Sequence, residues 1–482
     1  MSHGSFPHII KFDLYIIAKY GILQLFFFAV NCYVEVTTMN LTDDLTNGII
    51  WKQLTALALP LIWGNILQQM YNTIDSFVVG HYIGETAFAA AGVAGSVMNL
   101  SLFVISGCCN GIAIIIAELY GQKNWDLLRK ESFLSLAFGG GFTIMLSMCG
   151  MLALQPLLRD IQTPAEVAGF VQEYLRIIYL GLPAVFLYNW CAAVLRGAGD
   201  TGASLWILLL AMGLNTILDF LFVLSFGLGM AGTAYATVVS QLFAAFICLG
   251  YMKKQTPKLL FHARDVSFHF PLFMRTIMLG TISALHQSSL YIGKLLVQGA
   301  VNTGGTGMIS AYTATARIEG FANSFGDSGC TAISIFTAQN RGAHKRVRIR
   351  QGFLCGLRMM AGLGLVLSIT MFLTSGPAVI LLMGAASGPV LNHARSYMNV
   401  ISVFYVLCFL GNSFVGFYRG LGMVQIPVFG TILHISIRVI LSYVLIRHWG
   451  LAAVAFATGA GWAAVVLFQW ILYRRVTTEP EA

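Results

Sequence analysis

A chain of 482 residues in which 57% are hydrophobic and only 10% charged is not an ordinary soluble domain, where about a quarter of residues carry charge. The net charge of +9 would suit a nucleic-acid partner, but the basic residues fall in short gaps between long apolar stretches, which marks membrane loops and excludes nucleic acid. Uncharged stretches of about 20 residues or more follow one another, so the fold class is an all-α integral membrane protein. The nine cysteines are scattered, mostly within apolar stretches. With no CxxC and no Cys/His ligand spacing, they read as reduced packing residues, not disulfides or a metal site.

Residues 1–38 come first. Leu14 to Val34 is apolar but interrupted by Lys19 and Gln24 and flanked by Asp13 and Glu35. It lacks the basic leader and small-residue cleavage site of a signal peptide, and reads as an extra span or as sequence upstream of the functional start. That start is placed at Met39, where MNLTDDLTNGIIWKQL leads into the first strong helix. Twelve spans are expected from there. Six lie near 53–80, 86–120, 131–158, 166–195, 203–226 and 229–252, and six near 268–298, 307–340, 351–383, 389–418, 426–447 and 450–473. Residues 39–252 thus make a first lobe and 268–475 a second, with a polar linker at 253–267 and a tail at 476–482. Pro60 and Pro183 fall inside spans, where a missing amide donor predicts a kink.

Loop charge sets the expected orientation. One set of gaps holds Lys52, Lys123, Arg129, Lys130, Lys253, Lys254, Lys258, Arg264, Arg341, Lys345, Arg346, Arg348, Arg350, Arg474 and Arg475, while the alternate gaps offer little beyond Arg159 and Arg447. The first set is read as cytoplasmic, with the Met39 end and the C-terminus both inside.

The halves read as copies. Ala117 and Gly121 match Ala338 and Gly342, Tyr174 matches Tyr397, and Arg196-Gly197-Ala198-Gly199 recurs as Arg419-Gly420-Leu421-Gly422. Gly229 with Ala236-Thr237 recurs as Gly450 with Ala457-Thr458, and Pro60 is matched to Pro271, with a register slip of about ten residues at the glycine-rich stretch Asn302 to Gly307. Six spans per copy is an even number, so the copies share one orientation and are related by an axis along the membrane normal, with a cavity between them.

The chemistry lies at a common depth. Asp75 stands five residues before Gly80, about 8 Å inside the outer end of its span at 1.5 Å per residue. Asp219 stands eight residues before Gly227 and Thr237 eight after Gly229, each about 12 Å deep, with Asn215 one turn deeper and on the same helical face as Asp219. An intramembrane carboxylate costs at least about 2.5–3.5 kcal/mol and is seldom idle. If the helices meet, two carboxylates in a poorly hydrated pocket disfavour joint ionisation and would hold a proton between them. The same oxygens, with Asn215 and Thr237, could instead ligate sodium, and either ion moving inward draws on the membrane potential. Separate helix–helix hydrogen bonds are the plainer reading.

These stretches resemble the multidrug and toxic compound extrusion (MATE) family. The resemblance spans about residues 45–475 and rests on Pro60 with YNTIDSFVVG (71–80), AELYGQK (117–123), VLRGAGDT (194–201), LNTILDFLF (214–222), GMAGTAYAT (229–237), ARIEGF (316–321) and AQNRGAHKR (338–346). It implies alternating access between two six-helix lobes, with influx of H+ or Na+ driving export of amphipathic, often cationic compounds and no other cofactor. It also implies Asp75, Asn215, Asp219 and Thr237 as the cation-coupling site. Some branches add a carboxylate in the seventh helix and another in the tenth. Here the seventh carries His286 and Gln287 and the tenth none, while the repeat pairs Asp75 with His286, Asn215 with Arg438 and Asp219 with Ser442. Acid chemistry is therefore expected only in the first lobe.

Other polar residues carry less. Asp327 is a candidate for the substrate cavity or for pairing with Arg438, and His286 for a helix–helix hydrogen bond. Gln287, Tyr188 and Arg438 are further cavity candidates, whereas Tyr188, Trp190 and Phe186 could equally be packing. Arg196 and Arg419 read as snorkelling anchors or loop caps. Against an exporter acting as a monomer on small molecules within the lipid bilayer stand three alternatives. A lipid-linked precursor flippase would want a cavity rich in Arg and Lys. A membrane enzyme would have to be built on His434 and Arg438, which lack a partner, so no enzyme is expected. A channel fits duplicated halves less well than rocking lobes do.

Overall fold

The computed structural model describes residues 44–160, 162–383 and 388–478; the extension 1–38, the start at Met39 and the last four residues of the tail lie outside them. Twelve long helices follow in order: α1 (Ile50–Val78), α2 (Glu85–Gly121), α3 (Trp125–Asp160), α4 (Ala165–Gly197), α5 (Thr201–Phe220), α6 (Gly229–Gln255), α7 (Phe270–Asn302), α8 (Thr306–Gly342), α9 (Arg346–Leu373), α10 (Gly388–Gly420), α11 (Gln425–Trp449) and α12 (Leu451–Thr478). There is no strand among the described residues. Nine of the twelve are long and apolar enough to cross a membrane by composition alone. The molecule is apolar outward as well as inward. Leu152, Ile217 and Ile440 are 80%, 65% and 61% exposed, as suits a surface solvated by lipid tails, while Asn215 and Asp219 are fully buried.

Local chemistry sets the helix ends. Asp200 accepts the Ala203 backbone N–H (3.0 Å) and caps α5, and its other oxygen accepts from Tyr251 (2.8 Å) on α6. The span expected at 351–383 is broken: α9 stops at Leu373 and a short helix, Ser375–Met383, follows. Pro377 has no amide hydrogen for the Leu373 carbonyl, so the ladder cannot continue. Pro60, Pro156 and Pro183 remain inside α1, α3 and α4. Just beyond their acidic residues, α1 and α5 each widen into a π turn, Val79–Ile83 and Leu221–Ser225.

The packing is duplicated. In the first lobe α2 packs on α3 and α4, α4 on α6, and α5 on α6; in the second α8 packs on α9 and α10, α10 on α12, and α11 on α12. Across the lobes α2 meets α8, α1 leans on α8, and α7 leans on α2. The turn glycines repeat in conformation as well as in sequence. Gly199 and Gly422 have φ of 95° and 74°, a left-handed region that a side chain enters only with strain.

The register of the repeat differs from the sequence reading in α7. Gly84 and Gly305, with φ of 117° and 83°, precede α2 and α8 alike. Counted back from these glycines, Asp75 falls opposite Leu296, and His286 falls opposite Asn65. The cross-lobe contacts agree: Asn65 donates to Ser328 Oγ (3.0 Å) on α8, while the His286 turn of α7 lies against Gly107 of α2. The match of Pro60 to Pro271, and with it the slip of ten residues, came from two prolines that do not correspond.

The lobes close on one another at the end that carries the loop cations. Gly121 lies against the backbone of Gln339, and Gly342 against that of Glu118, so closely that a Cβ at either would collide. Glu118 accepts from Arg275 of α7 and lies 3.6 Å from Arg341 of α8. The lead-in before α1 is held by the second lobe: Lys345 donates to the Thr46 carbonyl (2.8 Å), and Arg348 to the carbonyls of Leu45 (3.1 Å) and Gly48 (2.9 Å). Toward the opposite end of α2, Gly92 and Gly95 face open space. The linker folds onto α3 through two short 3-10 turns, with Arg129 paired to Asp265 (3.1 Å) and Ser132 donating to the Leu259 carbonyl (2.8 Å).

Candidate cation-binding site in the first lobe

The four residues drawn from separate spans meet. The Asn215 amide nitrogen donates to Asp75 Oδ1 and to Asp219 Oδ2, both at 3.2 Å, and its oxygen accepts from Tyr71 (3.2 Å) and from the Thr237 backbone N–H (3.3 Å). The Tyr71 hydroxyl also reaches Thr237 Oγ1 at 3.1 Å. Asp75 and Asp219 are thus held on one amide, close enough to act on one another. Two carboxyl groups brought together in a poorly hydrated pocket disfavour joint ionisation, which favours uptake of a proton or a cation by the pair. Among the described residues no amide or hydroxyl reaches Asp219 Oδ1, which is buried. Among the described residues no Lys or Arg pairs with either carboxylate. The cluster is therefore a largely buried set of oxygens with excess negative charge, open to a proton or a small hard cation.

Two members escaped the sequence reading. Tyr71 lies one turn before Asp75, and that spacing alone put it on the same face. Tyr174 of α4 lies close enough to feel both Asp75 and Asp219. Its signal was the repeat, because its counterpart Tyr397 on α10 donates to Glu319 Oε2 (3.2 Å) in the second lobe.

The second lobe carries Glu319 on α8 in the field of Arg438 on α11 and Lys294 on α7, and Arg438 donates to Tyr312 (3.3 Å). The lobes differ in charge: acid meets acid in the first, and an acid has cations in its field in the second. Asp327 does not pair with Arg438; it lies within reach of Lys294 and Arg419. His286 is buried and accepts at Nδ1 from Arg419 (2.8 Å), and Gln287 follows it on α7. Tyr188 is only 8% exposed and belongs to the first-lobe core. Trp190 donates to Ser135 Oγ (3.0 Å), and Phe186 packs on Gly139. These aromatics pack within the lobe. His434 stacks on Trp462 at 6.2 Å.

Two six-helix lobes of parallel repeat, with a buried oxygen cluster inside one of them, define a membrane transporter. The chain matches the MatE family twice, over residues 60–221 and 283–444, once per lobe, and belongs to that family. It is 28% identical over 314 residues to the probable multidrug resistance protein YpnP of Bacillus subtilis, covering 64% of this chain and 68% of the relative. It is 24% identical over 416 residues to the probable multidrug resistance protein NorM of Thermotoga maritima, covering 83% and 87%. A multidrug resistance MATE family transporter solved in an outward-facing conformation shares the fold, with TM-score 0.85 at 21% identity over 91% of this chain and 98% of that one. So does a MOP superfamily transporter from Pyrococcus furiosus, with TM-score 0.84 at 22% identity over 90% and 97%.

Proposed function

We propose that this chain is a cation-coupled antiporter that exports amphipathic, often cationic compounds by rocking its two lobes. The observation that carries the reading is the meeting of Asp75 and Asp219 on the Asn215 amide. A proton taken up by this pair can be exchanged for another proton or for sodium, and arrival or loss of the ion changes the charge held between α1 and α5. Because α1 also leans on α8, a shift of α1 reaches the interface between lobes. The names of the relatives, probable multidrug resistance proteins, support the substrate class. On this reading the protein is no enzyme, has no cofactor beyond the coupling ion, and acts as a monomer in the plasma membrane with its C-terminus in the cytoplasm. The test is dye-cation efflux from proteoliposomes in which pH and sodium gradients are imposed independently. Efflux should follow one gradient or both. Efflux indifferent to both gradients would end the antiport reading.

A further inference from the structure

A small cavity lies on the axis between the lobes, just inside the closed basic end, and it is lined by repeat partners. Asn110 and Thr331, Ala113 and Ser334, and Arg196 and Arg419 each contribute from equivalent positions of the two halves. Arg196 and Arg419 end α4 and α10. Gly197 and Gly420, directly after them, lie against Ala113 and Ser334, which draws each arginine inward to the interface. They are not the snorkelling anchors that their place in the sequence suggests.

No acid closes on the charge in this cavity. Among the described residues no carboxylate forms an ion pair with Arg196 or Arg419. The groups around Arg196 are Tyr188, Cys109 and Cys248, none of them an acid. Arg419 is met by His286 at 2.8 Å and by Cys330 Sγ at 3.9 Å, while Asp327, the acid within its reach, also faces Lys294. Two half-buried guanidiniums that line one cavity give up part of their hydration, a cost that an anion bound between them would offset. The remaining donors suit the same visitor. The planar guanidinium fork matches carboxylate and phosphate oxygens, and the Asn110 amide and the Thr331 and Ser334 hydroxyls can donate as well.

We propose that this cavity is an anion site that takes the carboxylate or phosphate group of a small solute between Arg196 and Arg419. Since each lobe supplies one arginine, the bound group ties the lobes together and favours the state in which the basic end is closed. The site is separate from the Asp75–Asp219 cluster, and substrates of this transporter then include compounds that bear an anionic group.

The test is equilibrium binding to the purified full chain in detergent, with radiolabelled benzoate and inorganic phosphate as separate probes and no ion gradient, so that its outcome does not depend on coupling. At least one probe should bind saturably; benzoate alone assigns the site to organic carboxylates, phosphate alone to phosphorylated solutes. Arg196→Gln and Arg419→Gln should each weaken binding roughly ten-fold or more, and Thr331→Asp, which sets a carboxylate in the anion's place, should abolish it. The unmodified protein gives a reading free of folding effects: the bound probe should slow phenylglyoxal modification of Arg196, mapped by mass spectrometry. Absence of saturable binding by both probes, binding unchanged in the arginine variants, or modification of Arg196 indifferent to the probe would each overturn the proposal.

Discussion

Asp75 on α1 and Asp219 on α5 meet on one amide: Asn215 donates to Asp75 Oδ1 and to Asp219 Oδ2, both at 3.2 Å. Two negative charges so placed repel unless a proton or a cation joins them. That makes the cluster one whose cohesion an ion can change, whereas Glu319 in the other lobe has Arg438 and Lys294 in its field.

Tyr71 supports this cluster without carrying charge. Tyr71→Phe removes the hydroxyl that bridges Thr237 Oγ1 and the Asn215 oxygen, a loss of about 1 kcal/mol per hydrogen bond. Gradient-driven efflux from proteoliposomes should slow several-fold, while the melting temperature of the purified protein changes little.

The closed basic end depends on close backbone approach and one shared carboxylate. Glu118→Gln leaves Arg275 and Arg341, both partly exposed, without the buried acid that they share. Gly121→Ala drives a methyl group into the Gln339 backbone, at about 1–3 kcal/mol. Both changes should shift the lobes toward a state open at this end. A cysteine introduced at Ser334 in the cavity behind the seal should then label with an impermeant maleimide at least several-fold faster from the basic side.

In the second lobe the prediction concerns stability. Arg438→Leu removes the stronger of the two cations that act on Glu319, the other being Lys294, and should lower the melting temperature. The double variant Arg438→Leu/Glu319→Leu should recover most of that loss, because removing both charges also removes their desolvation.

The linker supplies a pH dependence. Burial works against the charge on Asp265, but the His262 backbone N–H and the Arg129 guanidinium outweigh it and hold the carboxyl below its usual range. A carboxyl with a lowered folded value contributes stability that is complete above its unfolded value, about 3.9, and is lost as pH falls through the folded one. Cleavage of the linker 256–268 by pepsin should therefore accelerate as pH drops below about 3.9. In Arg129→Ala, cleavage should be faster already at the upper end of that range.

Much of this was legible in the residues. Span number, repeat and linker follow from apolar length and from turn motifs whose glycines do adopt the conformation that only glycine takes easily, Gly199 and Gly422 among them. The depth of Asp75, Asp219 and Thr237 was countable because a helix rises by a fixed step. That their helices face one another was not, since rotation about a helix axis is set by packing partners distant in sequence. The same limit explains Arg196 and Arg419. A basic residue at the end of a span reads as an anchor, and only the packing of Gly197 and Gly420 turns these two into the interface. The break at Thr374 was visible in Gly376-Pro377, whereas pairing Pro60 with Pro271 gave weight to a residue identity that the glycine turns before α2 and α8 overrule.

The central claim is that the Asp75–Asp219 pair is where the driving ion acts. The direct measurement is gradient-driven efflux from proteoliposomes carrying Asp75→Asn, Asp219→Asn or both, with insertion and folding checked on the same preparations. Efflux should fall to the ungradiented level in each variant while the protein stays folded. Driven efflux that persists in the double variant would contradict the account.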